Sequence, residues 1–391
     1  MPRAVIVDVV RSPMGKGKAG GALSSLHPVD LLGQVMKALV ERNKLDPGTI
    51  DDVLVGCAMQ AGEQASIARM ATLAAGFPIH VPAVAIDRKC GSSQQAVHFA
   101  AQGIMAGAYN IAIAAGVESM SRIAFGSNRM KMDDFGPAVR KRFPPGLLST
   151  GAAAELVTAR WGITRHELDA YAARSHELAA VAADKGHFKN EIVPINVEGG
   201  VVTEDESIRR GTTVDGLAQL KPSFENEDLK ARFPEISWSI TAGNASQITD
   251  GAAAVLVMEE QVALRLGLTP RARFVAFDVV ADDPVLMLTA PIPATQRVLK
   301  KAGLTVGDID QFEINEAFAC VPLAWNREIK VDPARLNPRG GAIALGHPLG
   351  CSGARIMTSL LNGLSQTGGR FGLQAICENG GMANAAIIER L

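Results

Sequence analysis

Hydrophobic and polar positions alternate along residues 1–120 in a pattern that predicts short strands separated by amphipathic helices. A helix after Pro28 would carry its apolar residues on one face: Leu32, Val35, Met36 and Leu39. Residues 83–86 and 110–116 are typical of strands, and residues 92–106 between them are typical of a helix. This succession indicates layered α/β architecture.

The last part of the chain repeats these landmarks. Residues 307–311 resemble residues 49–53, and each segment leads into a strand with a buried pattern. A small-residue helix from Ser352 is followed by a strand over residues 371–377. We interpret residues 271–391 as the second copy of a diverged internal duplication, which implies two similar halves packed together.

The middle of the chain has a different character. Charged residues and prolines cluster at 130–145 and 221–236, and Thr164 with Glu167 forms the capping box of a helix. We expect residues 121–245 to form an inserted lobe. Such a lobe is as compatible with a purely structural role as with shaping a substrate site.

The chain is therefore expected to have three parts. Residues 1–120 together with about 246–270 would form the N-terminal half, residues 121–245 the inserted loop domain, and residues 271–391 the C-terminal half.

Composition excludes several function classes. The 391 residues are 47% hydrophobic and carry 39 basic against 40 acidic side chains, so nothing favours electrostatic binding of nucleic acid or a membrane surface. The five cysteines are odd in number and lack disulfide or zinc spacing. Together with the absence of a leader-like segment before the first strand, they favour a reducing, cytoplasmic location.

Cys90 is the first candidate for chemistry. It lies between the strand at 83–86 and a helix that begins near Ser92, next to Arg88 and Lys89. A helix N-terminus and two cations would both favour the thiolate, which predicts a nucleophilic cysteine. An arbitrary cysteine in a tight turn is more often buried and inert.

His347 is the candidate base. It lies in the glycine-rich segment 340–350, where Pro348 keeps it out of helical geometry. A cysteine nucleophile needs a base near neutral pH, and histidine is the usual one. Taken alone, His347 would more often be an exposed histidine in a turn.

Two further segments place functional side chains where strands end. Cys377 precedes Asn379 and a glycine turn, and a second cysteine there could move a proton to or from carbon, although a packed strand end is the commoner case. Asn315 and Glu316 are equally suited to capping the helix that follows.

A nucleotide-binding loop is not favoured. Residues 15–20 match a dinucleotide fingerprint, but Pro13 interrupts the approach and no helix opens within the motif.

Together these segments resemble the thiolase family, and the resemblance runs through nearly the whole chain. It is carried by residues 11–15, 90–92, 116–121, 315–318 and 346–348, and by Cys377 with the glycines after it. The resemblance implies a layered αβαβα core of two similar halves, an inserted loop domain that holds coenzyme A, and a homodimer or homotetramer.

The resemblance also implies the roles of the site residues. His347 would activate Cys90, whose thiolate attacks the 3-keto carbon of a 3-ketoacyl-CoA. Cys377 would protonate the acetyl-CoA enolate, whose oxygen His347 and a water held by Asn315 stabilise, and free CoA would take the acyl group from Cys90. The backbone N–H groups of Cys90 and Asn379 would form the oxyanion hole. Family members usually have glycine in place of Asn379, and asparagine tolerates left-handed geometry, so activity should be retained.

For coenzyme A, which is a co-substrate, the resemblance implies contacts with Ser246 at the pantetheine arm, Lys221 at the nucleotide end and Phe318 at the thiol channel. No resident cofactor or metal is implied. Residues 149–151 lack the His-Met-Gly of acetoacetyl-CoA-specific members, and Gln247 is typical of degradative members. We therefore expect thiolysis of longer or bulkier 3-ketoacyl-CoAs, with a biosynthetic acetoacetyl-CoA thiolase as the alternative.

Two rival functions follow from the same segments. A decarboxylating condensing enzyme would share Cys90, but Cys377 suits proton transfer at an acetyl methyl group better than the second histidine or asparagine such an enzyme uses. A thiolase-like lipid carrier, or a non-catalytic partner in a β-oxidation complex, would not need all four reactive positions. The sequence leaves open whether this chain itself has a hydratase–dehydrogenase partner in such a complex.

Overall fold

The computed structural model describes residues 2–391, which form a mixed β-sheet layered with helices. The strands are β1 (Ala4–Arg11), β2 (Gly15–Lys16), β3 (Asp52–Gly56), β4 (Ala83–Ile86), β5 (Ile111–Ser119), β6 (Ile195–Val197), β7 (Gly200–Val202), β8 (Thr249–Glu259), β9 (Ala272–Ala281), β10 (Gln311–Ile314), β11 (Phe371–Glu378) and β12 (Met382–Arg390). The helices are α1 (Pro28–Arg42), α2 (Ile67–Ala74), α3 (Ser92–Met105), α4 (Gly136–Arg142), α5 (Thr150–Arg160), α6 (Arg165–Asp184), α7 (Val214–Ala218), α8 (Glu227–Arg232), α9 (Glu260–Arg265), α10 (Pro291–Ala302), α11 (Cys320–Ile329), α12 (Ala342–Leu345) and α13 (Ser352–Thr367). Within residues 2–391, no helix is long and apolar enough to cross a bilayer.

The predicted early elements are confirmed. Helix α1 begins at Pro28, and the four apolar side chains expected on one face, Leu32, Val35, Met36 and Leu39, are all buried. Strand β4 covers the residues predicted for it, 83–86. Helix α3 begins at the predicted residue and ends one residue earlier than predicted. Strand β5 begins one residue later than predicted and extends to Ser119, past its predicted end at residue 116.

The internal duplication is visible in the strand order. In the first half β3 runs parallel to β5, and β8 pairs antiparallel with both β5 and β1. In the second half β10 runs parallel to β11, and β12 pairs antiparallel with both β11 and β9. A short β1–β9 ladder joins the two half-sheets.

One aspartate makes the same bridge in each half. The Asp51 carboxylate accepts hydrogen bonds from the N–H groups of Asn110 and Ile111, where β5 begins. The Asp310 carboxylate accepts from Arg370 and Phe371, where β11 begins. Asp51 is therefore the equivalent of Asp310. The sequence match of residues 49–53 with 307–311 had aligned Asp52 with Asp310, so that match was off by one residue.

The layers follow the predicted αβαβα order. Helices α3 and α13 pack against each other between the half-sheets, around one hydrophobic cluster that includes Val97, Ile104, Met357 and Leu361. Helices α1 and α2 cover the outer face of the first half-sheet. Helices α10 and α11 cover the outer face of the second. Burial of both sheet faces explains why β5 and β8 are apolar along nearly their whole length.

Residues 121–245 carry α4 to α8 and the β6–β7 hairpin. Helix α6 begins with the predicted capping box of Thr164 and Glu167. Apolar side chains of α5 and α6 share one cluster with the second half, and Arg11 of β1 forms buried ion pairs with Glu191 and Asp205. These contacts fix this segment to both halves.

The fingerprint-like residues 15–20 do not form a nucleotide loop. Gly15 and Lys16 form β2, which pairs with β8, and the next helix begins only at Pro28.

Candidate active site

One cavity of about 240 Å³ collects most of the predicted site residues. Its wall includes six of them: Cys90, Ser246, Phe318, His347, Cys377 and Asn379. Asn315 is not part of this wall, but its side chain contacts His347. Lys221 is exposed and does not line the cavity.

Cys90 is held in a tight turn before α3. The N–H of Gly91 donates to the Arg88 carbonyl at 3.0 Å. The Ser92 hydroxyl accepts from the Arg88 N–H and donates to the Lys89 carbonyl. These bonds present the half-buried thiol at the N-terminus of α3, with its Sγ at the cavity.

The electrostatic prediction for Cys90 is wrong. Burial raises the pKa of the Cys90 thiol well above its ordinary value, and the nearby Cys377 and Glu378 raise it further. The Lys89 Nζ pairs with Asp87 at 2.6 Å, and Lys89 is not among the groups that shift the pKa of Cys90. Cys90 therefore rests as a thiol and needs a base to become a nucleophile.

The His347 side chain is oriented by the hydroxyl of Ser352. His347 Nδ1 lies 2.6 Å from Ser352 Oγ. That hydroxyl donates its own proton to the Pro348 carbonyl at 2.9 Å, so it accepts from Nδ1–H. The tautomer is thereby fixed, and the lone pair of His347 lies on Nε2.

The free nitrogen of His347 faces Asn315. Asn315 Nδ2 lies 3.5 Å from His347 Nε2, and the Asn315 Oδ1 is buried without a hydrogen-bond partner within residues 2–391. Burial, reinforced by the charge of Arg355, lowers the pKa of His347 to about 3. The ring is thus neutral, and its Nε2 is available to take a proton.

The possibility that Asn315 and Glu316 cap a helix is excluded. Helix α11 begins only at Cys320, and its N-cap residue, Ala319, offers no side-chain hydrogen bond. Glu316 instead accepts four hydrogen bonds, from Tyr171, Ser175, Asn337 and the Ile343 N–H. It ties α6 to the segment that leads to His347.

Glu118 anchors the other side of the same segment. Its buried carboxylate accepts from the N–H groups of Ala58, Met59 and Gly350 and from Gln64 Nε2. From the sequence, Glu118 was expected only as part of a family motif and Glu316 as part of a motif or a helix cap. A glutamate at or just after the end of a strand was the available signal of an anchor.

Cys377 lies near the end of β11 and faces the cavity. Burial raises the pKa of its thiol to about 12, with further contributions from Cys320 and Glu378. The turn after it takes positive φ at Gly380 (91°) and Gly381 (79°), not at Asn379. The expectation that Asn379 depends on left-handed tolerance is therefore wrong, because the glycines supply that geometry.

Gln247 proves to be a connector. Its side-chain Nε2 donates to the backbone carbonyls of Ser207 and Ile343, each at 2.8 Å. The backbone carbonyl of Gln247 accepts from the His347 N–H at 3.1 Å. Beside it, the Ser246 N–H donates to the Ala317 carbonyl at 3.0 Å. Gln247 thus joins the 121–245 segment to the glycine-rich segment 340–350 that carries His347, which we call the histidine loop.

The rest of the cavity wall is mostly apolar. Its large hydrophobic side chains are Met120, Phe125, Phe224, Ile248, Leu288 and Leu349. Within residues 2–391, no three His, Cys, Asp or Glu side chains are grouped as metal ligands. The site therefore combines two thiols and a neutral imidazole with a wall suited to an apolar chain.

Comparisons with known proteins agree along the whole chain. The profile "Thiolase, N-terminal domain" matches residues 4–261, and "Thiolase, C-terminal domain" matches residues 268–390. The chain is 46% identical over 400 residues to "Steroid 3-ketoacyl-CoA thiolase FadA6" of Mycobacterium tuberculosis, covering 100% of this chain and 95% of that protein. It is 43% identical over 402 residues to the 3-ketoacyl-CoA thiolase of Cronobacter sakazakii, covering 100% of both.

A solved structure is also similar to this chain over its whole length. The Bacillus anthracis acetyl-CoA acetyltransferase superposes with a TM-score of 0.88 at 37% identity, covering 100% of this chain and 99% of that one.

Proposed function

The chain belongs to the thiolase family and is an acyltransferase that cleaves 3-ketoacyl-CoA by thiolysis, and we propose that it does so through an acyl group held on Cys90. The observation that supports this most is the single cavity that brings Cys90, Cys377 and the free nitrogen of His347 to one surface. Coenzyme A enters as a substrate.

In the first half-reaction, His347 Nε2 takes the proton of Cys90. The Cys90 Sγ then bonds to the 3-keto carbon, and the bond between C2 and C3 breaks. The electron pair of that bond forms the acetyl-CoA enolate, which takes the proton of Cys377. Acetyl-CoA leaves, and the site keeps an acyl thioester on Cys90, a protonated His347 and a Cys377 thiolate.

In the second half-reaction, the Cys377 thiolate takes the proton of the incoming CoA thiol. The CoA sulfur attacks the acyl carbon, and the Cys90 thiolate leaves and recovers its proton from His347. Each group returns to its starting protonation state. The high pKa of the Cys377 thiol, about 12, suits a group that must take a proton from CoA.

Two donor sets would stabilise the developing negative charge. The Nε2–H of protonated His347 and a water bound at the unpartnered Asn315 Oδ1 would face the enolate oxygen. The N–H groups of Cys90 and Asn379 would face the tetrahedral oxyanion. Preorganised donors of this kind each lower a barrier by roughly 3–4 kcal/mol.

The substrate is a 3-ketoacyl-CoA longer or bulkier than acetoacetyl-CoA. Phe125, Phe224, Ile248 and Leu288 give the cavity more apolar wall than a two-carbon acyl group would cover. The name of the mycobacterial relative specifies a steroid 3-ketoacyl-CoA, which supports a bulky acyl part. Ser246 and Phe318 line the cavity and would contact the pantetheine arm, and exposed Lys221 would pair with the nucleotide phosphates.

The exposed edge of the sheet and the free cysteines bear on how the protein associates and where it works. Strand β4 is the last strand of the sheet and Val84 on it is 44% exposed, which favours a homodimer or homotetramer formed across this edge. A hydratase–dehydrogenase partner would fit the same pathway chemistry. The five free cysteines favour a reducing compartment such as the cytoplasm.

Steady-state thiolysis of a graded series of 3-ketoacyl-CoAs tests the substrate assignment. The series runs from acetoacetyl-CoA through medium and long chains to a polycyclic acyl part. We expect kcat/KM to rise with apolar size by about ten- to a hundredfold, as about 1–3 kcal/mol of added burial would produce. A rate confined to acetoacetyl-CoA would favour the biosynthetic alternative, which the acetyltransferase similarity supports.

A further inference from the structure

Glu378 is a buried carboxyl that the reaction described above does not use. It is the last residue of β11, follows Cys377 directly and has no solvent exposure. Within residues 2–391, neither of its carboxyl oxygens has a hydrogen-bond partner at normal geometry. Because buried carboxyls are almost always hydrogen-bonded, packing alone does not account for a glutamate here.

The duplication provides an internal comparison. The ladders pair Asp52 with Ala112 in the first half and Gln311 with Gly372 in the second, which makes Glu118 the equivalent of Glu378. Glu118 accepts hydrogen bonds from three backbone N–H groups and one side-chain amide. The equivalent carboxyl beside the reactive cysteines has only the Asn384 N–H near it, and that group lies outside normal hydrogen-bond geometry.

Glu378 packs against the turn that carries the nucleophile. A Cβ on Gly91 would overlap the Glu378 Oε1, so the carboxyl lies directly under the residue after Cys90. Three acidic groups, Cys90, Cys377 and Glu378, therefore lie close together. Cys377 and Glu378 both raise the pKa of the Cys90 thiol, and Glu378 also raises that of the Cys377 thiol.

The charges around these three groups are few. Arg88 is the cation near Glu378, but its Nη1 donates to the Met382 sulfur at 3.9 Å and its Nε has no partner within residues 2–391. Asp87 is the other anion near it. His98, on which the charge of Arg88 also acts, stays neutral because burial lowers its pKa to about 3.

We propose that Glu378 is a positioning residue for Cys90 that works in its protonated form: the neutral acid permits negative charge on the two thiols, and the ionised acid suppresses it. This inference rests on the proposed roles of Cys90 and Cys377. Burial raises the pKa of Glu378 to about 8, although Arg88 lowers it, so Glu378 ionises before either thiol. Below about pH 8 His347 can withdraw the Cys90 proton, and above it the Glu378 charge opposes that transfer.

Alkylation of Cys90 by iodoacetamide tests this without any acyl-CoA. The rate at Cys90, located by peptide mapping, is followed from about pH 6 to about pH 10 in the wild type, Glu378→Gln and Glu378→Met. Both variants remove the charge, and the second also removes the buried polar group. We expect the alkylation profile of both to move to lower pH by about one unit, the effect of a unit charge a few ångströms away.

Asp184→Asn is the matched control, since it removes one carboxylate from an exposed site paired with Arg210. It should leave the profile unchanged. An unchanged profile in both Glu378 variants would overturn the proposal, and a lower melting temperature without a pH shift would mean that Glu378 is structural only.

Thiolysis separates this inference from the proposed function. In Glu378→Gln we expect the rate near neutral pH to stay within a few-fold of wild type and the alkaline decline to move upward. Wild-type thiolysis with no shift in the variant would defeat the inference alone. An alkylation shift in a protein that shows no thiolysis would defeat the proposed function alone.

Discussion

His347 Nδ1 and Ser352 Oγ lie 2.6 Å apart, and this contact decides which nitrogen of the histidine can act as a base. Ser352 is the first residue of α13, and its hydroxyl also donates to the Pro348 carbonyl. The hydroxyl can therefore only accept from His347, which leaves Nε2 toward Asn315 and the cavity.

Replacing Ser352 tests this orientation. In Ser352→Ala the Nδ1–H loses its acceptor, so we expect kcat to fall about ten- to a hundredfold, as about 1–3 kcal/mol for an unsatisfied buried donor implies. KM should change little, and Ser352→Thr should restore most of the rate. Ser365→Ala is the control. It removes a hydroxyl from the same helix, and that hydroxyl bonds only the Leu361 carbonyl. Equal rates in wild type and Ser352→Ala would contradict the assignment.

Gly346 lets the histidine loop pass close to Thr249. Its φ is 98°, and a Cβ there would overlap the Thr249 side chain. We expect Gly346→Ala to lower the unfolding free energy by about 3 kcal/mol or more, combining strain and overlap, and to reduce kcat strongly because His347 moves. Gly267→Ala also starts from a positive φ, 73°, has nothing near the added carbon, and should cost only about 1 kcal/mol. Equal costs in urea unfolding would show that the overlap is relieved.

Buried histidines should make the protein less stable in acid. Burial lowers the pKa of His98 and of His347 from 6.5 to about 3. Above pH 6.5 both rings are neutral whether the chain is folded or unfolded, so this contribution is fully present there. As the pH falls from 6.5 toward 3, only the unfolded state binds the protons, and each histidine removes up to about 1.4 kcal/mol per pH unit.

The measurement is the unfolding free energy against pH in His98→Gln, whose side-chain oxygen can still accept from Asn384 Nδ2. The fall between pH 6.5 and about pH 4 should be shallower than in wild type. A slope unaffected by His98→Gln would mean that His98 is protonated in the folded state.

Asn379 should be replaceable without loss of the oxyanion hole. The backbone N–H is the proposed donor, and the left-handed turn is made by Gly380 and Gly381. We expect Asn379→Gly and Asn379→Ala to keep kcat within about threefold of wild type, since neither removes a donor. A gain or loss of orders of magnitude in either variant would show that the Asn379 side chain itself takes part.

The fold was largely predictable because its signals are local. The apolar face of α1, the capping box of α6 and the strand at 83–86 depend on short-range pattern, and each was found where the sequence indicated it. The duplication was detectable for the same reason. Its register was one residue off, because a pair of adjacent aspartates, Asp51 and Asp52, matches Asp310 equally well until the bridge to the next strand is visible.

The electrostatics of the site could not be predicted in the same way. Neighbours in sequence suggested that cations act on Cys90, whereas its pKa is governed by burial and by Cys377 and Glu378, which are close only in the folded chain. The role of Ser352 was hidden as well, since a serine at a helix start is ordinarily a cap.

The most direct test of the account is intact-protein mass spectrometry after mixing with a 3-ketoacyl-CoA, followed by addition of CoA. We predict one acyl adduct on Cys90 that CoA discharges, absent in Cys90→Ala and retained in Cys351→Ala, which removes a buried cysteine outside the cavity wall. An adduct on another residue, or thiolysis that persists at the wild-type rate in Cys90→Ala, would contradict the account.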